Sequence, residues 1–171
     1  MVKTVRSTDI RTMRGHDNCK GEYTYFGIEK ELHKSLQNDF PVELENESTI
    51  SLFFNVDGLP LYKGSSKQFW QILGKIYNRK HIPSCSGIFV IAIFCGSSKP
   101  ASIEEYLHDF IVELSHLMEV GLTFHGKHYT VDVVGFACDA PARAYVKCIK
   151  GPLDTLDVRN VSSMVSVLTE S

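Results

Sequence analysis

The sequence predicts one α/β domain built on a mixed β-sheet flanked by helices, and three observations carry that expectation. Two apolar runs, Ile50 to Val56 and Tyr129 to Phe136, have the length and the β-branched and aromatic content of buried strands. Each runs into an aspartate, Asp57 in the first and Asp139, after Cys138, in the second. Between them, Ser102 to Gly121 repeats its apolar residues at helical spacing, so a strand, a helix and a strand follow one another and the second strand can return parallel to the first.

The elements follow in order. Residues 1–21 are polar, mixed in charge and without period, and predict an extended arm with Arg6, Arg11, Arg14 and Lys20 exposed. From Glu22 to Leu36, Tyr25, Ile28, Leu32 and Leu36 recur at helical spacing, and Asn38 and Pro41 end that helix. The Ile50 strand surrenders its last position to Asp57, after which Gly58 and Pro60 predict a turn or bulge and a short strand at Leu61 and Tyr62. Ser65 or Ser66 then caps an expected helix with Phe69, Trp70, Leu73, Ile76 and Tyr77 on one face. A loop from Ile82 to Gly87 leads into Ile88 to Cys95, continuously apolar and therefore expected to be a strand buried on both faces.

Ser102, with Glu105 three places on, forms a capping-box signature. It opens a helix whose stripe is Ile103, Leu107, Phe110, Ile111, Leu114, Leu117 and Met118, with Glu104, His108, Asp109, Glu113 and Glu119 facing outward and Gly121 ending it. Leu122 to Phe124 and Tyr129 to Phe136 read as strands joined by a tight turn at His125, Gly126 and Lys127, and Ala140 to Ile149 reads as a helix. From Gly151 onward no capping or turn signal decides the structure. The order matches the first two-thirds of an RNase H-like fold, a partial one here, with the two aspartates on parallel strands.

A chain of 171 residues, 43% apolar and 11% aromatic, suits one domain with a sizeable core. The net charge of -2 and the isoelectric point near 6.4 do not mark a nucleic-acid binder, so any DNA contact is local or supplied by other segments. The longest apolar run falls far short of the roughly 20 residues a membrane span needs, so no membrane partner is expected. The start, MVKTVRSTDIRTMR, lacks the apolar stretch of a secretory signal, which predicts an intracellular, reducing compartment. Five cysteines without a C-x-x-C pair read as buried thiols, and the scattered histidines, with His125 and His128 around a turn, do not suggest zinc.

Two aspartates at adjacent strand ends can hold Mg²⁺ or Mn²⁺, hard cations that prefer oxygen ligands and can drive phosphoryl transfer. The alternative is that Asp57 belongs to an Asp-Gly turn and Asp139 caps the Ala140 helix. Asn55-Val56-Asp57-Gly58 is also similar to the D-x-D-G motif of haloacid dehalogenase-type phosphatases, but an amide stands at the nucleophile position, and an amide does not attack phosphorus. Cys138 and Arg143 are one residue too close for a thiol phosphatase loop. Lys63 and Lys67, after Asp57, and Arg143, Lys147 and Lys150, after Asp139, are candidate phosphate contacts or simply solvated basic residues.

Four blocks carry a family likeness: EYTYFGIEKEL, FFNVDGLPLYKGSSKQFWQILGKI, FVIAIFCGSSKPASIEEYLHDFIVEL and FACDAPARAYVKCIKG. Together they resemble transposase-derived proteins of animal genomes, of the DDE/D cut-and-paste DNA transposases and the CACTA (En/Spm)-like group. The likeness spans about Glu22 to Gly151. It implies an RNase H-like core in residues 22–151, flanked by the polar arm (1–21) and a divergent tail (152–171). Asp57 and Asp139 are then implied as catalytic, metal-ligating residues for DNA strand cleavage and transfer with Mg²⁺ or Mn²⁺ in the nucleus, or else the cytoplasm.

The family continues past the CIKG block into a cysteine-bearing segment and supplies a third acid much later. Here the chain reads GPLDTLDVRNVSSMVSVLTES, and Asp154, Asp157 and Glu170 follow Asp139 too closely for that role. The expectation is a truncated or domesticated catalytic-core fragment, inactive alone and binding DNA weakly or not at all. The competing expectation is a non-catalytic interaction module that associates through an incomplete sheet edge, with itself or with full-length transposase.

Overall fold

A computed structural model describes residues 10–38, 42–77 and 87–138. Seven strands form one mixed sheet: β1 (Ile10–Arg14), β2 (Lys20–Tyr25), β3 (Thr49–Pro60), β4 (Gln68–Ile76), β5 (Ile88–Gly96), β6 (Leu122–Phe124) and β7 (Lys127–Cys138). Two α-helices, α1 (Ile28–Asn38) and α2 (Ile103–Val120), and a short 3-10 helix at Val42–Glu45 complete the described fold. The strand order is β1-β2-β5-β4-β3-β7-β6, and only β3 and β7 pair in parallel. The architecture is therefore mixed α/β, as the alternation of strand and helix patterns predicts.

Alternation along β3 decides which face carries the core. Ile50, Leu52, Phe54 and Val56 are buried, while Thr49, Ser51, Phe53, Asn55 and Asp57 are half-buried on the other face. The Phe54 ring meets Phe110 of α2 edge-on at 5.0 Å and stacks on Phe136 of β7 at 5.3 Å, so the helices cover the Phe54 face. Ile28, Leu32 and Leu36 of α1 join the same cluster as Ile103, Tyr106, Leu107, Phe110, Ile111, Leu114 and Leu117 of α2. Burying these side chains away from water stabilises by roughly 1.5–3 kcal/mol each before the entropy of ordering them is counted.

Two bulges keep the pattern in phase with the core. In β5 the register to β4 slips after Ile72, and Ile91 and Ala92 are consecutively buried. In β7 the register to β3 slips at Leu52/Phe53, which leaves Val134 as the extra residue and brings Phe136 onto the helix-covered face. The spacing Tyr129, Val131, Val133, Phe136 thus changes phase at the bulge.

Several expectations need correction. Residues 10–25 are neither a loose arm nor the start of a helix. They form the β1–β2 hairpin, which pairs onto β5, and the helix begins only at Ile28. Arg11, Arg14 and Lys20 are exposed as expected. The segment expected as a Ser65/Ser66-capped helix is strand β4. Trp70, Ile72 and Ile76 recur at even spacing, and pairing with both β3 and β5 outweighs the helical reading of Phe69, Trp70, Leu73 and Ile76. Leu61 and Tyr62 lie in the β3–β4 loop rather than in a strand. Strand β5 is buried on one face only along its first half, because Ile88 and Val90 point away from the helices and are exposed.

Helix α2 matches its expectation in its ends and its apolar stripe. Ser102 Oγ accepts from Glu105 N–H at 3.1 Å, and Gly121, at φ +79°, donates its N–H to Leu117 O at 2.8 Å. The β6–β7 turn is also as expected, with positive φ at both His125 (48°) and Gly126 (77°), the combination a two-residue hairpin turn requires.

Candidate functional site

Asp57 does not end its strand. β3 continues to Pro60, and Asp57 faces Gln71 across the β3–β4 ladder. The Asp-Gly turn reading fails with it, since Gly58 is extended strand paired with Trp70. A Cβ at residue 58 would stand 2.6 Å from Trp70 Cε2, so the indole, not a turn, explains the glycine.

Asp57 lies inside β3, directly after Val56, whose partner on the parallel neighbour is Cys138. The β3–β7 register ends with Val56 beside Cys138, the last described residue of β7. The neighbouring parallel pairing expected of the two aspartate-bearing strands is observed. Asp139, Arg143, Lys147, Lys150 and the later acids Asp154, Asp157 and Glu170 lie outside the described residues, as does the expected helix from Ala140.

Asp57 is half-buried on the face away from the two helices, and its Oδ1 accepts the N–H of Gly58 at 2.8 Å. Asn55 shares that face of the strand, and Gln71 stands opposite on β4. The neighbourhood therefore offers hard oxygen donors of the kind Mg²⁺ or Mn²⁺ accepts, but only one carboxylate. Among the described residues no three histidine, cysteine or acidic side chains gather around a common point. Asp57 by itself does not make a divalent site.

Lys63 and Lys67 sit in the loop that links β3 to β4, beyond Asp57 along the hairpin, and both are exposed. Among the described cysteines, Cys19 is an exposed free thiol and Cys95 a half-buried one, which corrects the expectation of buried thiols for this pair. No described helix is long and apolar enough to cross a membrane.

Two carboxylates that the sequence reading passed over hold the fold together around this sheet. Glu113, expected to face solvent, turns from α2 to the start of α1. There it accepts the N–H groups of Ile28 at 2.8 Å and Glu29 at 3.0 Å and the hydroxyl of Tyr25. Burial first, and the bond to Glu113 second, push the Tyr25 hydroxyl well above the usual tyrosine range. Asp17, in the β1–β2 turn, accepts from Ser97 Oγ at 2.5 Å, Ser98 Oγ at 2.8 Å and Cys19 N–H at 3.1 Å. The hydroxyl bonds lower its pKa to about 2. Apart from the Cys19 bond to Asp17, the partners lie 80 or more residues away along the chain, so neither tie between distant segments has a local sequence signature.

Comparison with known proteins adds no family: no protein-family model matches the chain, and no curated protein matches it in sequence.

Proposed function

We propose that this chain is a DNA transposase catalytic core of the DDE/D type, whose ancestral activity is metal-dependent strand cleavage and transfer on an RNase H-like fold. The observation that carries the reading is the topology around Asp57. Strands β3, β4 and β5 form an antiparallel meander, α2 follows, and β7 returns parallel beside β3. This order supports the reading, and the register brings β7 to Cys138 at the level of Val56, one residue before each aspartate. In this reading Asp57 and Asp139 would hold Mg²⁺ or Mn²⁺, which supplies activation of the attacking oxygen and stabilisation of the leaving one. Lys63, Lys67, Arg143 and Lys147 are the phosphate contacts that go with it.

Calorimetric titration of Mn²⁺ into the full chain tests the metal-binding core. The wild type should release heat that is lost in Asp57→Asn and in Asp139→Asn, and identical heats in all three proteins would count against the reading.

A second reading, an interaction module without catalysis, is favoured by one feature. β6 pairs only with Lys127 to Tyr129, so beyond that point β7 has a strand partner on its β3 side alone among the described residues. Light scattering across concentrations separates the two, since this module should give dimers or larger species through that edge, and a clean monomer removes it.

A further inference from the structure

The hairpin loop beyond Asp57 has a composition unlike the rest of the surface. Nine large apolar side chains are exposed among the described residues, and three of them, Leu59 (45%), Leu61 (40%) and Tyr62 (66%), fall within four positions. Charge is equally uneven. From Gly58 to Ile103 the chain holds six lysines and arginines and no aspartate or glutamate, although its overall charge is -2. Two of those lysines, Lys63 and Lys67, follow Tyr62 on the loop, with the hydroxyls of Ser65 and Ser66 between them. The register sets Gln68 beside Gly96, so Lys99 follows at the same end of the sheet.

The loop is also held by its own bonds. Leu61 N–H donates to Lys67 O, Ser65 N–H to Tyr62 O, and Lys67 N–H to Ser65 Oγ, each at 2.9 Å. Gly64 completes the turn at φ +88°, and a Cβ there would meet no atom within 4 Å. A loop fixed by internal turns while its aromatic side chain stays in solvent is a preorganised surface, and ordering it costs a ligand little.

We infer that the β3–β4 loop is a contact element for unpaired nucleic acid, with Tyr62 stacking on a base and Lys63 and Lys67 meeting the adjacent phosphates. An exposed aromatic followed by two cations on a stiff turn suits a base plane followed by charged backbone. The inference rests on the DNA-processing reading and extends its recognition surface beyond Asp57 along the hairpin.

The test is fluorescence anisotropy with the full chain, a labelled oligothymidylate of about 15 nucleotides and a mixed-sequence duplex of the same length, from about 50 to 200 mM salt. Tyr62→Ala should weaken binding to the single strand about tenfold, while Tyr62→Phe, which keeps the ring, stays within about twofold. The Lys63→Ala, Lys67→Ala double variant should flatten the slope of log affinity against log salt by about 1.4, the loss of two single-strand phosphate contacts.

Unchanged single-strand affinity in Tyr62→Ala overturns the inference, and so does preferential binding to the duplex. Absence of wild-type binding at about 50 mM salt overturns it as well. Binding to anionic phospholipid vesicles but not to either DNA assigns the loop to another surface and also overturns it. All substituted side chains are exposed, and circular dichroism confirms that each variant folds. None of these outcomes touches the Mn²⁺ titration, so the metal-binding reading stands or falls separately.

Discussion

Glu113 shows how much one side chain can hold when it serves three donors at once. Helix α1 starts at Ile28 without a serine, threonine or aspartate in front of it; Gly27, at φ +93°, precedes it instead. The orphan amides of its first turn therefore find their acceptor on another helix. Glu113→Ala should cost about 2 kcal/mol in urea unfolding, and Glu113→Gln, which keeps one acceptor, roughly half as much. Asp17 acts similarly between the β1–β2 turn and the segment after β5, but its contribution depends on pH. Its pKa is near 3.8 when unperturbed and about 2 in the fold. Above both values the carboxylate is charged in either state and its stabilisation is complete. As pH falls below about 4 the unfolded chain takes up the proton first, and below about 2 nothing remains of the contribution. The urea midpoints of wild type and Asp17→Ala should therefore differ at neutral pH and converge as pH approaches 2, and a gap that stays constant over that range rules the carboxylate out as its cause.

Elements differ in how far their sequence determines them, and β4 marks the boundary. Phe69, Trp70, Leu73 and Ile76 fit a helical stripe, while Trp70, Ile72 and Ile76 fit a strand face, and local pattern does not separate them. What decides is tertiary: β4 is hydrogen-bonded on both sides, to β3 and β5. Helix α2 was legible because cap, stripe and terminal glycine agree, and the β6–β7 hairpin because His-Gly supplies both positive φ angles. The parallel pairing of β3 with β7 was legible because a helix separates two apolar runs. The β1–β2 hairpin was not, since alternation over five or six residues at a polar edge is too short to stand out. Gly58 was legible as special but for the wrong reason. Its neighbour Asp57 suggested a turn, whereas the contact with Trp70 comes from the strand opposite. Gly58→Ala should therefore destabilise by about 1–3 kcal/mol in thermal or urea unfolding, through the clash with the indole, even though the backbone there is ordinary strand.

For the molecule as a whole, the position of each strand in the sheet sets its stability and bears on the proposed function. β3 has a partner on both sides from Leu52 to Val56 and lies over the Phe54–Phe110–Phe136 cluster, whereas β1 is a five-residue edge strand and β6 a three-residue one. Opening β3 disrupts two ladders and the core together; opening β1 disrupts one short ladder. In hydrogen–deuterium exchange followed by mass spectrometry, peptides covering Leu52 to Val56 should therefore exchange more than about a hundredfold slower than those covering Ile10 to Arg14. β7 is the informative case. Alternate amides of Val131 to Cys138 point away from β3, toward the side on which no described strand lies. In a monomeric catalytic core these amides should exchange at one rate whatever the protein concentration. In a module that associates through that edge they should slow as concentration rises, while β1 and β6 keep their rates. The same strand thus leads to Asp139 along its axis and offers a pairing edge along its side, and the concentration dependence of its exchange shows whether that edge is used.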